Sequence, residues 1–214
     1  MNWKLPNQLT VARIGLAGAF FVLLGLFEHG SPRAALLLNV ALGVYIVPGI
    51  TDVLDGWIAR RYNWTSAFGR ITDPFVDKVL VVGAFAMFTG SNFAFPAGAC
   101  CDRELPAWLT GHMTSAVQAW MVVVIMAREF IVSAVRGYSE SQGIKFPATP
   151  AGKIKMLIQS ICICLILFQV ANFPHVLWAV WLKAILVWLA VIVTVLSGLA
   201  YVSSARKLLL GDEP

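Results

Sequence analysis

The chain has 214 residues, of which 59% are hydrophobic and only 13% charged, with a mean hydropathy of +0.78. These values exclude a soluble globular domain and a disordered chain, and they specify an integral membrane protein. In so apolar a chain, a formal charge of +5 points to anionic headgroups or anionic substrates at a membrane surface, and not to nucleic acid.

A spanning helix needs about 20 apolar residues. Six stretches qualify: 9–27, 34–59, 75–88, 113–135, 156–171 and 176–201. The third is short unless its polar start at Gly69 is counted. The expectation is therefore an all-α integral membrane protein with six transmembrane helices, forming a single domain over residues 1–214. The first stretch is too long for the apolar region of a cleaved signal, and no small-residue cleavage site follows it. With a cytoplasmic N-terminus, Lys4, Arg13, Arg60, Arg61, Arg70, Lys78, Arg128, Arg136, Lys145, Lys153, Lys155, Arg206 and Lys207 fall at cytoplasmic ends, leaving Arg33, Arg103 and Lys183 outside. The positive-inside rule then places both termini in the cytoplasm, together with the hairpin between the second and third helices.

At the start of the first helix, Pro6 suits a helix N-terminus, and Asn7 and Thr10 read as local capping residues that are also candidates for substrate contact. The second and third helices carry Asp52, Asp55, Asp73 and Asp77. Ionised carboxylates cost several kcal/mol each at about mid-bilayer depth and persist where they are paired, metal-bound or wet. Spacings of three and four residues put each pair on one helix face. A short connection lets the two helices form an antiparallel hairpin, so four carboxylates can surround one cation site. Oxygen-only ligands suit Mg²⁺ or Mn²⁺. Two such ions about 3.5 to 4 Å apart would stabilise the attacking and leaving oxygens of a phosphoryl displacement.

Gly56 lies mid-helix, where glycine is unfavourable by about 1 kcal/mol relative to alanine. Its missing side chain, with small Ala59 nearby, serves either a flat or phosphorylated ligand or close helix packing. Arg60, one turn on, suits a phosphate, and Arg61 a headgroup. Further along, 90–106 and 137–152 read as the longer loops. Cys100 and Cys101 lie in the first of them, whereas Cys162 and Cys164 read as buried apolar residues. Trp3, Trp64, Trp108, Trp178 and Trp181 fall near span ends, as interfacial anchors do. His29, His112 and His175 fall at outer ends, remote from the aspartates.

The fourth helix carries Arg128-Glu129-Phe130-x2-Ser133-Ala134-x-Arg136, and the fifth opens with Gly152-Lys153-Ile154-Lys155. Four cations thus gather beside the aspartates. Arginine and lysine around a wet pocket suit a phosphorylated acceptor, and the competing reading is positive-inside anchoring. Arg128, within a span and followed by Glu129, argues against anchoring.

The run Asp52-x2-Asp55-Gly56-x2-Ala59-Arg60-x8-Gly69-x3-Asp73-x3-Asp77 resembles the complete signature of the CDP-alcohol phosphotransferases. That resemblance implies a six-helix membrane enzyme, commonly a homodimer, that transfers a phosphatidyl or related group from a CDP-linked donor to an alcohol and releases CMP. It implies that Asp52, Asp55 and Asp73 bind two divalent metals and that Asp77 is the general base, also near the second metal. Gly56, Ala59, Arg60, Ser66 and Gly69 would form the binding surface for the CDP moiety. A carboxylate is suited to take the proton of an otherwise weakly nucleophilic alcohol.

The second block, the opening Leu5-Pro6-Asn7-x-Leu9-Thr10-x2-Arg13 and the closing Tyr201 to Leu209 are similar to one bacterial inner-membrane branch of that family. This likeness implies CDP-diacylglycerol as donor and sn-glycerol 3-phosphate as acceptor, with Arg13, Arg128, Arg136, Lys153 and Lys155 as candidate ligands of the acceptor phosphate. Inositol phosphate or phosphatidylglycerol are the alternative acceptors. An ion transporter is the alternative of another class, disfavoured because the acids cluster at one end and the outer halves of the spans carry almost no ionisable groups.

Overall fold

The computed structural model describes residues 5–62, 67–95, 106–142 and 150–210. Its long helices are α1 (Leu5–Gly25), α2 (Ala34–Tyr62), α3 (Ala67–Met87), α5 (Ala119–Ser141), α6 (Pro150–Asn172) and α7 (Leu177–Leu210). A 3₁₀ turn at Ser91–Phe93 and the single-turn α4 (Ala107–Thr110) lie between α3 and α5. No strand occurs among the described residues, only an isolated antiparallel bridge between Ala94 and Met113.

The long helices close into a ring. α1 packs on α2, α2 on α6, α6 on α7, α7 on α5, α5 on α3 and α3 back on α1, with a further contact from α3 to α6. Phe20, Leu24, Phe85, Met121, Ile125, Ile163 and Ile166 fill the interior with essentially no exposure. At one end Phe93 stacks against Phe27 and Phe88, with ring centroids 4.6 and 5.2 Å apart, in the tilted and edge-on geometries that aromatic rings favour. The outer faces are apolar as well: Val22, Leu36, Val123, Leu157, Leu196 and Leu199 are all at least 60% exposed. An apolar interior wrapped in an apolar exterior is the pattern of a bundle solvated by lipid.

Within α6 and α7, the segments Gly152–Asn172 and Leu177–Ser203 are long and apolar enough to cross a membrane. Thr10–Gly25 and Ala34–Gly49 are shorter apolar segments of α1 and α2. Each of the six expected stretches coincides with one long helix. The third reaches 21 residues because α3 does begin ahead of Gly69. Within α2, Pro48 has no N–H to donate to the carbonyl four residues back, and its own carbonyl accepts from Thr51 Oγ1 at 2.9 Å.

Two expectations need correction. The fourth long helix starts at Ala119 and not near residue 113. Gly111, His112 and Ala116 all have positive φ. Thr114 donates its N–H and Oγ1 to the Phe93 carbonyl, and Ser115 Oγ donates to that of Phe88. These hydroxyl bonds hold the segment in a non-helical path that hydropathy does not register. The loop expected over 137–152 is also shorter, because α5 continues to Ser141 and α6 opens at Pro150, the position where proline's fixed φ suits a helix start.

Cys162 is buried and Cys164 half-buried, both as free thiols; Cys100 and Cys101 lie outside the described residues. Trp108 and Trp178 are exposed at helix ends, and Trp181 is just over a third exposed. Trp3 and Trp64 lie outside the described residues. α7 carries a buried lysine: Lys183 is 2% exposed and donates to the Thr114 carbonyl and, at 2.7 Å, to Gln169 Oε1.

Candidate active site

The signature residues lie in the second half of α2 and the first half of α3. Asp52, Asp55, Gly56, Ala59 and Arg60 belong to α2, and Gly69, Asp73 and Asp77 to α3. Helical spacing keeps Asp52 with Asp55, and Asp73 with Asp77, on one face of each helix. Ser66 lies outside the described residues, as do the side chains of Asp52, Asp55, Gly56, Ala59, Arg60, Gly69 and Asp73. Asp77 is described: it is half-buried and within electrostatic range of Tyr45. Tyr45 stands about two turns before Asp52 on the same face of α2. It packs against Phe20 of α1 at 5.4 Å between centroids and lies 3.4 Å from Ser160 Oγ of α6. An all-carboxylate donor set paired by helix spacing fits a hard divalent cation by its chemistry.

Next to Asp77, Lys78 opens onto a cavity of about 170 Å³. Four helices line it: α3 with Lys78, α5 with Arg128, Glu129, Ser133 and Arg136, α6 with Lys153 and Lys155, and α7 with Tyr201. Four of the five cations predicted to bind the acceptor phosphate therefore meet at one place. Glu129, Ser133 and Arg136 recur at helical spacing, so one face of α5 presents all three to the cavity.

A hydrogen-bond network fixes these groups. Glu129, 7% exposed, accepts from Arg128 Nη1 at 3.1 Å and from Lys155 Nζ, itself 3% exposed, through the same Oε1. Lys78 Nζ donates to Ser133 Oγ at 2.5 Å, and Ser133 Oγ donates back to the Glu129 carbonyl at 2.6 Å. Arg128 Nε is buried and has no hydrogen-bond partner among the described residues. Arg136 and Lys153 stand exposed at the rim. Among the described residues that line this space, one carboxylate faces five cations. A wall with this excess of positive charge attracts anions. Two or more donors converging from arginine and lysine match the oxygens of a phosphate.

Arg13 and Thr10 are buried on α1, at 4% and 3% exposure, and neither lines this cavity. The side chain of Asn7 lies outside the described residues. Lys78, Ser133, Glu129 and Tyr201 line the cavity although sequence reasoning assigned none of them to the acceptor. Lys78 had a readable signal in its position directly after Asp77, but it counted only as a cytoplasmic positive charge. Tyr201 entered only as the first residue of the closing segment that carries the resemblance, with no role attached.

Away from this site, His29 follows α1 in the connection to α2 and packs edge-on to Phe27. Burial holds its imidazole below the usual value of 6.5, with His175 and Lys183 adding to the effect by charge.

The CDP-alcohol phosphatidyltransferase family model matches residues 3–196. A Bacillus subtilis (strain 168) protein named CDP-diacylglycerol–glycerol-3-phosphate 3-phosphatidyltransferase is 30% identical over 207 residues, covering 94% of each chain. Proteins of the same name from Rickettsia bellii and Shigella flexneri serotype 5b are 28% and 29% identical, over 95% and 98% of this chain and 96% and 99% of theirs. The match runs through both aspartate-bearing helices and through the cationic helices α5 and α6, so the chain belongs to the CDP-alcohol phosphatidyltransferase family.

Proposed function

We propose that the chain transfers the phosphatidyl group of CDP-diacylglycerol to sn-glycerol 3-phosphate, giving phosphatidylglycerol phosphate and CMP. The observation that carries this reading is the convergence of Lys78, Arg128, Arg136, Lys153 and Lys155 on one cavity, Lys78 directly following Asp77 in α3. A neutral alcohol or a zwitterion has no use for so many donors, whereas a phosphomonoester dianion does. The names of the relatives from three genera agree with it.

In this reading the cavity cations hold the acceptor's phosphate and leave its free hydroxyl towards Asp77. The Asp77 carboxylate takes the hydroxyl proton as the oxygen bonds to the phosphatidyl phosphorus. The bond from that phosphorus to the CMP oxygen breaks, and CMP departs with the electron pair. Gly56, Ala59, Arg60, Ser66 and Gly69 would receive the CDP moiety, with Arg60 on its phosphates. Asp52, Asp55, Asp73 and Asp77 would hold two divalent cations, Mg²⁺ or Mn²⁺, whose chemistry when bound is to neutralise charge on the diphosphate. The same reading makes the chain one six-span domain of a bacterial inner membrane. Both termini and the site face the cytoplasm, and the chain works as a homodimer.

The test supplies membranes containing the protein with CDP-diacylglycerol and a panel of alcohols, and identifies the lipid product by thin-layer chromatography. Phosphatidylglycerol phosphate, formed with release of CMP, is the expected product. A product made only from inositol phosphate or phosphatidylglycerol would overturn the acceptor assignment, and metal-dependent ion flux without CMP would overturn the reaction.

A further inference from the structure

The family match ends at residue 196, yet the next turn of α7 reaches the cavity. Tyr201 lines it at 2% exposure. Gly198, three residues earlier and on the same face, lies against Arg128. A Cβ at Gly198 would stand 3.0 Å from Arg128 Cγ and 4.0 Å from Arg128 Cβ.

We propose that Gly198 is a positioning residue for the acceptor: its missing side chain lets the Arg128 stem lie flat on α7 and so aims the guanidinium into the cavity. This rests on the reading of that cavity as the acceptor site. Arginine stems normally swing away from an added methyl, but this side chain is nine-tenths buried and its Nη1 is tied to Glu129. Glu129 is in turn held by Lys155, and its carbonyl by Ser133. With both ends of the side chain fixed, a displacement of a few tenths of an ångström at Cγ passes to the guanidinium, whose buried Nε has no hydrogen-bond partner among the described residues. Packing of α5 against α7 is the plainer role for a glycine here, and it predicts a different pattern of effects.

The experiment compares wild type, Gly198→Ala, Arg128→Ala and the double variant in membranes. Initial CMP release is measured against glycerol 3-phosphate at saturating CDP-diacylglycerol, and against CDP-diacylglycerol at saturating glycerol 3-phosphate. Gly198→Ala is expected to raise KM for glycerol 3-phosphate about five- to ten-fold, the scale of a weakened charged hydrogen bond. It should leave KM for CDP-diacylglycerol and the thermal midpoint of the solubilised protein unchanged. In the Arg128→Ala background, where Cγ is absent, it should add nothing to the change in kcat/KM. An unchanged KM for glycerol 3-phosphate, a multiplicative effect in both backgrounds, or both KM values rising with a lowered midpoint would each sink the proposal. Should Gly198→Ala fail to accumulate, accumulation of the double variant would support it, and absence of the double variant alongside normal Arg128→Ala would overturn it. Wild type that releases no CMP with glycerol 3-phosphate would instead remove the acceptor reading beneath it.

Discussion

Lys155 of α6 donates to Glu129 of α5, joining two helices that meet at the cationic cavity. Both groups are more than nine-tenths buried, so the pair ties the helices together while leaving the cavity positive. Removing one partner of a buried pair strands the other in a medium that solvates it poorly. Glu129→Leu should therefore destabilise the folded protein by about 3–5 kcal/mol, whereas Glu129→Gln, which keeps an acceptor oxygen, should lose less. Thermal unfolding of the solubilised protein measures the difference, and equal midpoints for the two variants would contradict it.

Lys78 gives a prediction about the acceptor. Its ammonium is held by Ser133 at the cavity wall, so Lys78→Ala should raise KM for glycerol 3-phosphate about ten-fold, the value of one charged hydrogen bond. Ser133→Ala should have a smaller effect, because the ammonium keeps its charge and loses only a tether. Steady-state CMP release at saturating donor measures both, and a rise confined to the KM for CDP-diacylglycerol would move Lys78 to the donor side.

Asp77 is assigned the proton of the acceptor hydroxyl. Asp77→Asn keeps the side chain's size and removes its basicity, and it should lower kcat by at least about a hundred-fold, the usual contribution of a general base. The amount of protein in the membrane and its thermal midpoint serve as controls. Normal turnover would show that another group takes the proton.

His29 predicts a pH dependence. Its folded-state pKa lies below the ordinary 6.5, so the unfolded chain binds more protons as pH falls through that value. The stability it contributes is complete above 6.5 and is lost as pH falls through the lower folded value. His29→Gln should flatten the thermal midpoint over that acid window. A steeper profile in the variant would reverse the sign of the account.

Much of this arrangement is legible in the amino-acid order. Long apolar runs locate the six helices, because a bilayer demands length and apolarity above all. The aspartate pairs mark their faces through helical spacing alone. What escapes is local or three-dimensional. The true start of α5 depends on Thr114 and Ser115 bonding to the carbonyls of Phe93 and Phe88, residues 20 or more positions away. The cavity is partly legible: Arg128, Arg136, Lys153 and Lys155 advertise themselves by charge, and Lys78 does so more weakly. Glu129 and Ser133 read as neighbours of those charges until the fold makes one the anchor of Lys155 and the other the partner of Lys78. Arg13, marked for the acceptor by the likeness of the opening segment, is buried on α1 and does not line this cavity.

The most direct test of the central claim is a competition for the acceptor site. Membranes receive CDP-diacylglycerol and labelled sn-glycerol 3-phosphate, with a large excess of unlabelled inositol phosphate, and the label entering lipid is counted. If the cavity is an acceptor site for glycerol 3-phosphate, the label appears as phosphatidylglycerol phosphate at close to the uncompeted rate. If inositol phosphate is converted to lipid while the glycerol 3-phosphate label stays in the aqueous phase, the assigned acceptor is wrong.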